Sequence, residues 1–292
     1  MTPSTLPSSE TLKIRPGKVD SPTNSTWLGP GVMQIELGAP VRRRSATPAA
    51  KPATPGTPGI IRPAAAARPH GESGAVVSIL TEHNGRHAGY VRGAHSSRLR
   101  GLLEAGSVVK AHWQARNTDS LGSYTLEQEC HPAAGFMDDR GRLGALLSAC
   151  SLCDAALPER QALPGLYYGL MALIEALSGD AWGAAYVVWE LALLRELGFG
   201  IDISRCAGGG SADKLFYVSP KSGHAVSEEV GAPYKDRLLV LPAFLRPERG
   251  SADYAEVLTG LRLTGYFLEH WVFAQHSRGI PEERLRFGQR FA

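Results

Sequence analysis

The stretch AVVSILTEHNGRHAGYVR, residues 75–92, decides how the N-terminal half of the chain folds. AVVSIL is a short apolar run rich in β-branched residues, Asn84-Gly85 is the dipeptide that two-residue hairpin turns favour, and RHAGYVR returns in extended form. The segment therefore predicts a β-hairpin. Because strand side chains alternate, Arg86, Tyr90 and Arg92 share one face of the return strand, and His87 and Val91 the other. His83 and His87 straddle the turn without an evident third ligand, and they read as two surface histidines.

Working outward, GSVVKAHWQAR (106–116) alternates, NTDSLG turns, and SYTLEQE (123–129) closes a second hairpin. GIIR at 59–62 supplies a possible first strand. Five strands within residues 57–132 suit a small antiparallel barrel of the OB type, with an SH3-like barrel left open by the pattern. On 106–116 the alternation groups Lys110, His112 and Arg116 on one face and leaves Val109 and Trp113 for the core. RGAHSSRLRG (92–101), between the two strands, adds Arg98 and Arg100. Residues 83–110 hold five Lys/Arg and one acid, Glu104.

A face of this kind suits a phosphate backbone, since the arginine fork pairs with phosphate oxygens. Tyr90 could stack on a base for about 1–3 kcal/mol. Neutralising five phosphates would give a log–log salt slope of about −3.5 on single strands. The competing reading is an ordinary solvated exterior. The candidate DNA-binding residues are thus Arg86, Tyr90, Arg92, Arg98, Arg100, Lys110 and Arg116.

After Pro132 the apolar spacing becomes helical, over 138–157, 165–179 and 180–200. In the third, Asp180 is a plausible N-cap and Gly198 the stop, and Trp182, Tyr186, Trp189, Leu193 and Leu197 fall on one core-facing stripe. A long helix over 252–276 and a short one over 281–287 complete the C-terminal part. The expected class is α+β with several domains: a barrel over 57–132, then a helical domain over 133–292.

Twelve of the 20 prolines lie in residues 1–70, which also hold nine Lys/Arg against three Asp/Glu. The low-complexity run SATPAAKPATPGTPG (45–59) marks residues 1–56 as an expected disordered tail. Arg42, Arg43 and Arg44 there could form a basic arm that assists nucleic-acid binding. The net charge of +3 therefore says little about the folded part. Four cysteines are too few for a disulfide scaffold, and neither a signal peptide nor a membrane-length apolar run is evident, so a cytoplasmic protein is expected.

Catalytic motifs fail on context. Cys150-Ser-Leu-Cys153 has metal-site spacing but sits inside an apolar helical run, which points to core packing. GESG (71–74) places its second glycine one position early for a hydrolase elbow, and SADK with KSG (211–214, 221–223) lie too close together for a penicillin-binding enzyme. Gly208–Gly210 lacks the Lys-Ser/Thr ending of a phosphate loop. Without a convergent acid, base and nucleophile, no enzyme is expected.

HGESGAVVSILTEHNGRHAGYVRGAHSSR (70–98) resembles the N-terminal barrel of the RecO family of DNA repair and recombination mediators. YVVWELALLRELGFGIDISRC followed by YVSPKSGHAV is similar to that family's C-terminal domain, and the likeness runs in order over residues 57–292. The resemblance implies binding of single- and double-stranded DNA, annealing of complementary strands, and loading of RecA, with RecR, onto strands covered by single-stranded-DNA-binding protein. It also implies activity at the bacterial nucleoid, with protein partners met through the helical domain. An unrelated alternative is an interaction scaffold whose barrel binds peptide.

Many family members carry a four-cysteine zinc knuckle where residues 204–232 lie. Here Cys206 occupies the first ligand position, Gly209 the second, and Ser227 and Val230 fall where the second pair belongs. One thiolate cannot hold tetrahedral zinc, and His224 adds at most a second ligand. The segment therefore reads as a vestigial, degenerate zinc-ribbon insertion without metal. Pro63 and Pro69 interrupt the first barrel strand, which is then either short or disturbed.

Overall fold

The computed structural model describes residues 57–61, 68–70, 73–117, 120–248 and 250–291. The expected tail 1–56 with Arg42, Arg43 and Arg44, the interrupting Pro63, and Gly71 and Glu72 of the GESG stretch lie outside the described residues.

An N-terminal sheet precedes a mostly helical C-terminal part. The sheet contains β1 (Thr57–Ile61), β2 (Arg68–His70), β3 (Gly74–Thr81), β4 (Gly85–Arg92), β5 (Val108–Gln114) and β6 (Ser123–Cys130), with helix α1 (Ser97–Leu102) between β4 and β5. Its order is β1-β5-β6-β4-β3-β2, and β1 pairs additionally with β3. All pairings are antiparallel except β4 with β6, which meet in parallel at Tyr90 and Ser123. β1 is short, as the prolines suggested, and still pairs with two neighbours. The brief strand β2, which includes Pro69, was not foreseen; it lies on the outer edge of β3, where a residue without an N–H is tolerated.

The alternation read in the hairpin holds. Val77 and Ile79 of β3, Val91 of β4, Val109 and Trp113 of β5 and Leu126 of β6 form one buried cluster. Leu80, on the other face of β3, belongs instead to the core of the helical part. Ile79 and Leu80 are each fully buried, an arrangement that contributes about 1.5–3 kcal/mol per side chain. Neighbouring residues of one strand thus anchor two separate cores.

The helical part consists of α2 (Arg140–Ala156), α3 (Pro164–Ala176), α4 (Trp182–Glu196), a three-stranded sheet, α6 (Tyr254–Phe267) and α7 (Glu282–Gln289). The small sheet has the order β8-β7-β9, from β7 (Leu215–Val218), β8 (Ala225–Ser227) and β9 (Leu239–Val240), with the short α5 (Glu228–Gly231) after β8. Asp139 caps α2 by accepting the N–H groups of Gly141 and Arg142, and Asp253 caps α6 through the N–H of Glu256. Asp180 does not cap α4: the cap position is Ala181, one residue later, and makes no side-chain bond. Gly198 does end that helix, at φ +87°. The long C-terminal helix is also shorter than its periodicity suggested, because α6 passes into a π turn at Leu268–Val272. Cys150 and Cys153 are core residues.

A polar knot ties the helices together. Glu190 of α4 is fully buried and accepts from Arg284 of α7 at 2.5 and 3.0 Å, from Tyr186 at 2.9 Å and from Thr264 of α6 at 2.5 Å. The Tyr186 hydroxyl also meets Ser148 of α2 at 2.6 Å. Burial, then the Glu190 charge, pushes the Tyr186 phenol well above its ordinary value. No helix among the described residues is long and apolar enough to cross a membrane.

Candidate nucleic-acid interface

On β4 the outward positions are Arg86, Ala88, Tyr90 and Arg92, alternating with buried Gly85, His87, Gly89 and Val91. On β5 Lys110 and Gln114 are exposed and His112 half-buried, while Val109, Ala111 and Trp113 turn inward. Arg116 is exposed beyond the end of β5, and Arg98 and Arg100 are exposed on α1. Arg92, Arg98, Arg100, Lys110 and Arg116 are thus exposed and Arg86 is half-buried; what alternation did not supply was their neighbours.

Register supplies them. Across β5 and β6, Lys110 lies opposite Glu127, His112 opposite Thr125 and Gln114 opposite Ser123. Ser123 in turn lies beside Tyr90 of β4. Among the described residues, those running from Arg92 and Tyr90 through Ser123 and Thr125 to His112 and Arg116 are neutral or cationic. The same register sets Glu127 opposite Lys110, so that cation faces a carboxylate across the strand pair. Glu104, the acid of segment 83–110, lies 3.1 Å from His131 Nε2.

Tyr90 is set into this surface. Its ring covers Gly74 so closely that a methyl group there would overlap it, and its backbone N–H donates to the Gly122 carbonyl at 3.0 Å. Arg86 has a different assignment. Its Nε donates to the Leu157 carbonyl at 2.9 Å, and a guanidinium nitrogen lies 3.7 Å from Asp154 of α2. It joins sheet to helices rather than extending toward a ligand.

His87 is not a surface residue. It is buried in the sheet's core, with Nδ1 2.9 Å from the Tyr124 hydroxyl and its ring edge-on to Trp113. Burial, and secondarily the Arg160 charge, holds its pKa below the ordinary histidine value and favours the neutral ring. Period two had placed it on Val91's face, and that was the available signal against exposure. Gly74 and Gly122, which seat Tyr90, carried no pattern that marked them.

The knuckle positions come together without a ligand set. The Cys206 thiol meets the Ser227 hydroxyl at 3.5 Å and accepts the Ser227 N–H at 3.2 Å. Side chains at Gly208 or Gly210 would overlap Val230 and Ser227 respectively. Burial would raise the thiol's pKa, but the Ser227 hydroxyl and the N–H groups of Ser227, Gly208 and Gly210 outweigh it and bring it to about 7. A thiol, a hydroxyl and an isopropyl group do not fit zinc. His224 directs Nδ1 to the Ser222 carbonyl. Among the described residues, no cluster of three or more His, Cys, Asp or Glu could hold a metal ion.

Comparison with known proteins agrees with this architecture. The family model for the recombination protein O N terminal matches residues 65–130, and that for the recombination protein O C terminal matches residues 137–278. The chain is 49% identical over 232 residues to the DNA repair protein RecO of Rhodospirillum rubrum, covering 77% of this chain and 92% of that protein. It is 48% identical over 227 residues to the RecO of Rhodospirillum centenum, covering 77% and 90%. With the RecO of Caulobacter vibrioides it shares 45% over 227 residues, covering 77% and 93%. Two family matches in the order of the two structural parts, and this level of identity, establish that the chain belongs to the RecO family of DNA repair proteins.

Proposed function

We propose that residues 57–132 form an OB-type barrel that binds single- and double-stranded DNA, and that residues 133–292 form a helical domain that meets protein partners. The pairing sequence β1-β5-β6-β4-β3 with β3 returning to β1, and a helix between the third and fourth strands of that ring, support the OB reading. Segment 204–232 is a degenerate zinc-ribbon insertion in which Ser227 and Val230 stand in place of ligands. The protein works without covalent chemistry in the cytoplasm at the bacterial nucleoid. It anneals complementary strands and, together with RecR, loads RecA onto DNA covered by single-stranded-DNA-binding protein. Annealing requires a cationic surface that screens two phosphate backbones together, and the outer surface of the sheet carries that charge.

The observation that carries this reading is the exposure of Arg92, Arg98, Arg100 and Arg116, together with a register that sets Ser123, and no acid among the described residues, beside Tyr90. With Arg86 bound at the junction and Lys110 facing Glu127, four phosphate contacts remain, and the log–log salt slope on single strands becomes about −3. Affinity then falls about fiftyfold between 50 and 200 mM salt.

The test is anisotropy of a labelled single-stranded oligonucleotide across a salt series. Arg92→Ala/Arg98→Ala/Arg100→Ala should flatten the slope by about 2, and Arg86→Ala should leave it unchanged. Binding indifferent to salt, or lost equally in the Arg86 variant, would set this reading aside in favour of peptide recognition by the barrel.

A further inference from the structure

The segment between α2 and α3 crosses onto the sheet. Glu159 forms a parallel bridge with Arg86, and the Arg160 N–H donates to the Arg86 carbonyl at 2.7 Å. Gly85, at φ +61°, lies so close to the Gln161 carbonyl that a side chain there would overlap it. Residues 159–161 thus run along β4 at its hairpin end. Arg160 itself has φ +59°, the one positive value among the described non-glycine residues. A residue with a Cβ is held in that region only when its surroundings demand it.

The side chain indicates the demand. The Arg160 guanidinium lies 5.9 Å from the Trp113 ring centroid and donates to the Ser120 carbonyl at 3.0 Å. The adjacent Leu121 carbonyl accepts the Trp113 indole N–H at 3.0 Å, and the next, Gly122, accepts the Tyr90 N–H at 3.0 Å. Three consecutive carbonyls of the β5–β6 turn are therefore held by Arg160, Trp113 and Tyr90. The same turn carries Arg116 at its start.

We infer that Arg160, contributed by the helical part, is a positioning residue for the nucleic-acid surface: it fixes Ser120–Gly122, and thereby the placement of Tyr90 and, through the bond from Ser120 N–H to the Asn117 carbonyl, of Arg116. The inference rests on the proposed DNA-binding reading. Arg160 need not touch DNA. Its effect passes through the turn, so the conformation of the segment between α2 and α3 bears directly on DNA affinity.

The test uses the full chain with Arg160→Gly, Arg116→Ala and the double variant. Glycine accepts the positive φ without strain, so the melting temperature should stay within about 3 °C of the parent. Hydrogen exchange at the N–H groups that hold this turn, the Ser120 and Tyr90 amides and the Trp113 indole, should accelerate in the free Arg160→Gly protein. Its oligonucleotide affinity should fall about fivefold, and in the double variant the combined loss should be smaller than the product of the single losses.

Unchanged exchange together with unchanged affinity overturns the inference. Unchanged exchange with multiplicative losses also overturns it, since Arg160 would then contact DNA independently. If the parent protein binds no oligonucleotide, the DNA-binding reading fails and the link to an interface fails with it. Faster exchange in the variant would then show only that the turn is held.

Discussion

Removing the guanidinium of Arg284 should cost about 3–5 kcal/mol, because it leaves a fully buried carboxylate without its counter-charge. Arg284 is 5% exposed and Glu190 0%. The guanidinium makes two bonds to Glu190, at 2.5 and 3.0 Å, and a third to the Leu261 carbonyl at 2.9 Å. In Arg284→Met, Glu190 keeps only the hydroxyls of Tyr186 and Thr264, and neither carries charge. For a folded region of this size the loss corresponds to a fall in melting temperature of about 6–20 °C.

Urea denaturation followed by circular dichroism measures the effect directly, and an unchanged m-value would indicate that the folded state stays compact. Glu190→Leu/Arg284→Met is the decisive companion. Replacing both partners with apolar groups removes the stranded charge, so the double variant should be more stable than either single one. Oligonucleotide binding by Arg284→Met well below its transition should match the parent, because the knot shares no residue with the candidate interface. A loss under about 1 kcal/mol in Arg284→Met, or single losses that simply add in the double variant, would refute the argument that buried charge compensation holds α7 in place.

Two further outcomes are expected. Gly74→Ala should displace the Tyr90 ring and weaken single-strand binding about tenfold, the same loss expected of Tyr90→Ala; unchanged affinity in Gly74→Ala would show that Tyr90's seat over Gly74 is irrelevant to binding. Cys206, lowered from 9.0 to about 7 in the fold, should lend stability that depends on pH. Between those values the unfolded chain keeps a proton that the folded chain has released, so the advantage over Cys206→Ala is complete near pH 9 and lost as pH falls through 7. Urea midpoints of the two proteins that run parallel from about pH 6 to pH 9 would contradict the lowered pKa.

Much of the fold was legible because it rests on local periodicity. The hairpin at 74–92, the inward face of Val109 and Trp113, and the three apolar helices follow from patterns of two and of three to four residues, which one chain segment carries by itself. Errors appeared where a second segment intervened. His87 looked like a surface residue beside a turn until Tyr124 and Trp113 closed over it. Asp180 had the chemistry of a cap, yet α4 begins one residue further on.

The sequence by itself determined which side of each strand carries charge, since alternation requires no knowledge of the partner strand. It also determined that a single cysteine remains at the knuckle positions. Tertiary structure alone decided what those charges face. Register set Lys110 against Glu127, docking of α2 consumed Arg86, and a backbone twist at Arg160 brought a distant arginine onto the β5–β6 turn. The reason is physical: the availability of a charge depends on neighbours within a few ångströms, and those come from segments tens of residues away whose approach local pattern does not encode.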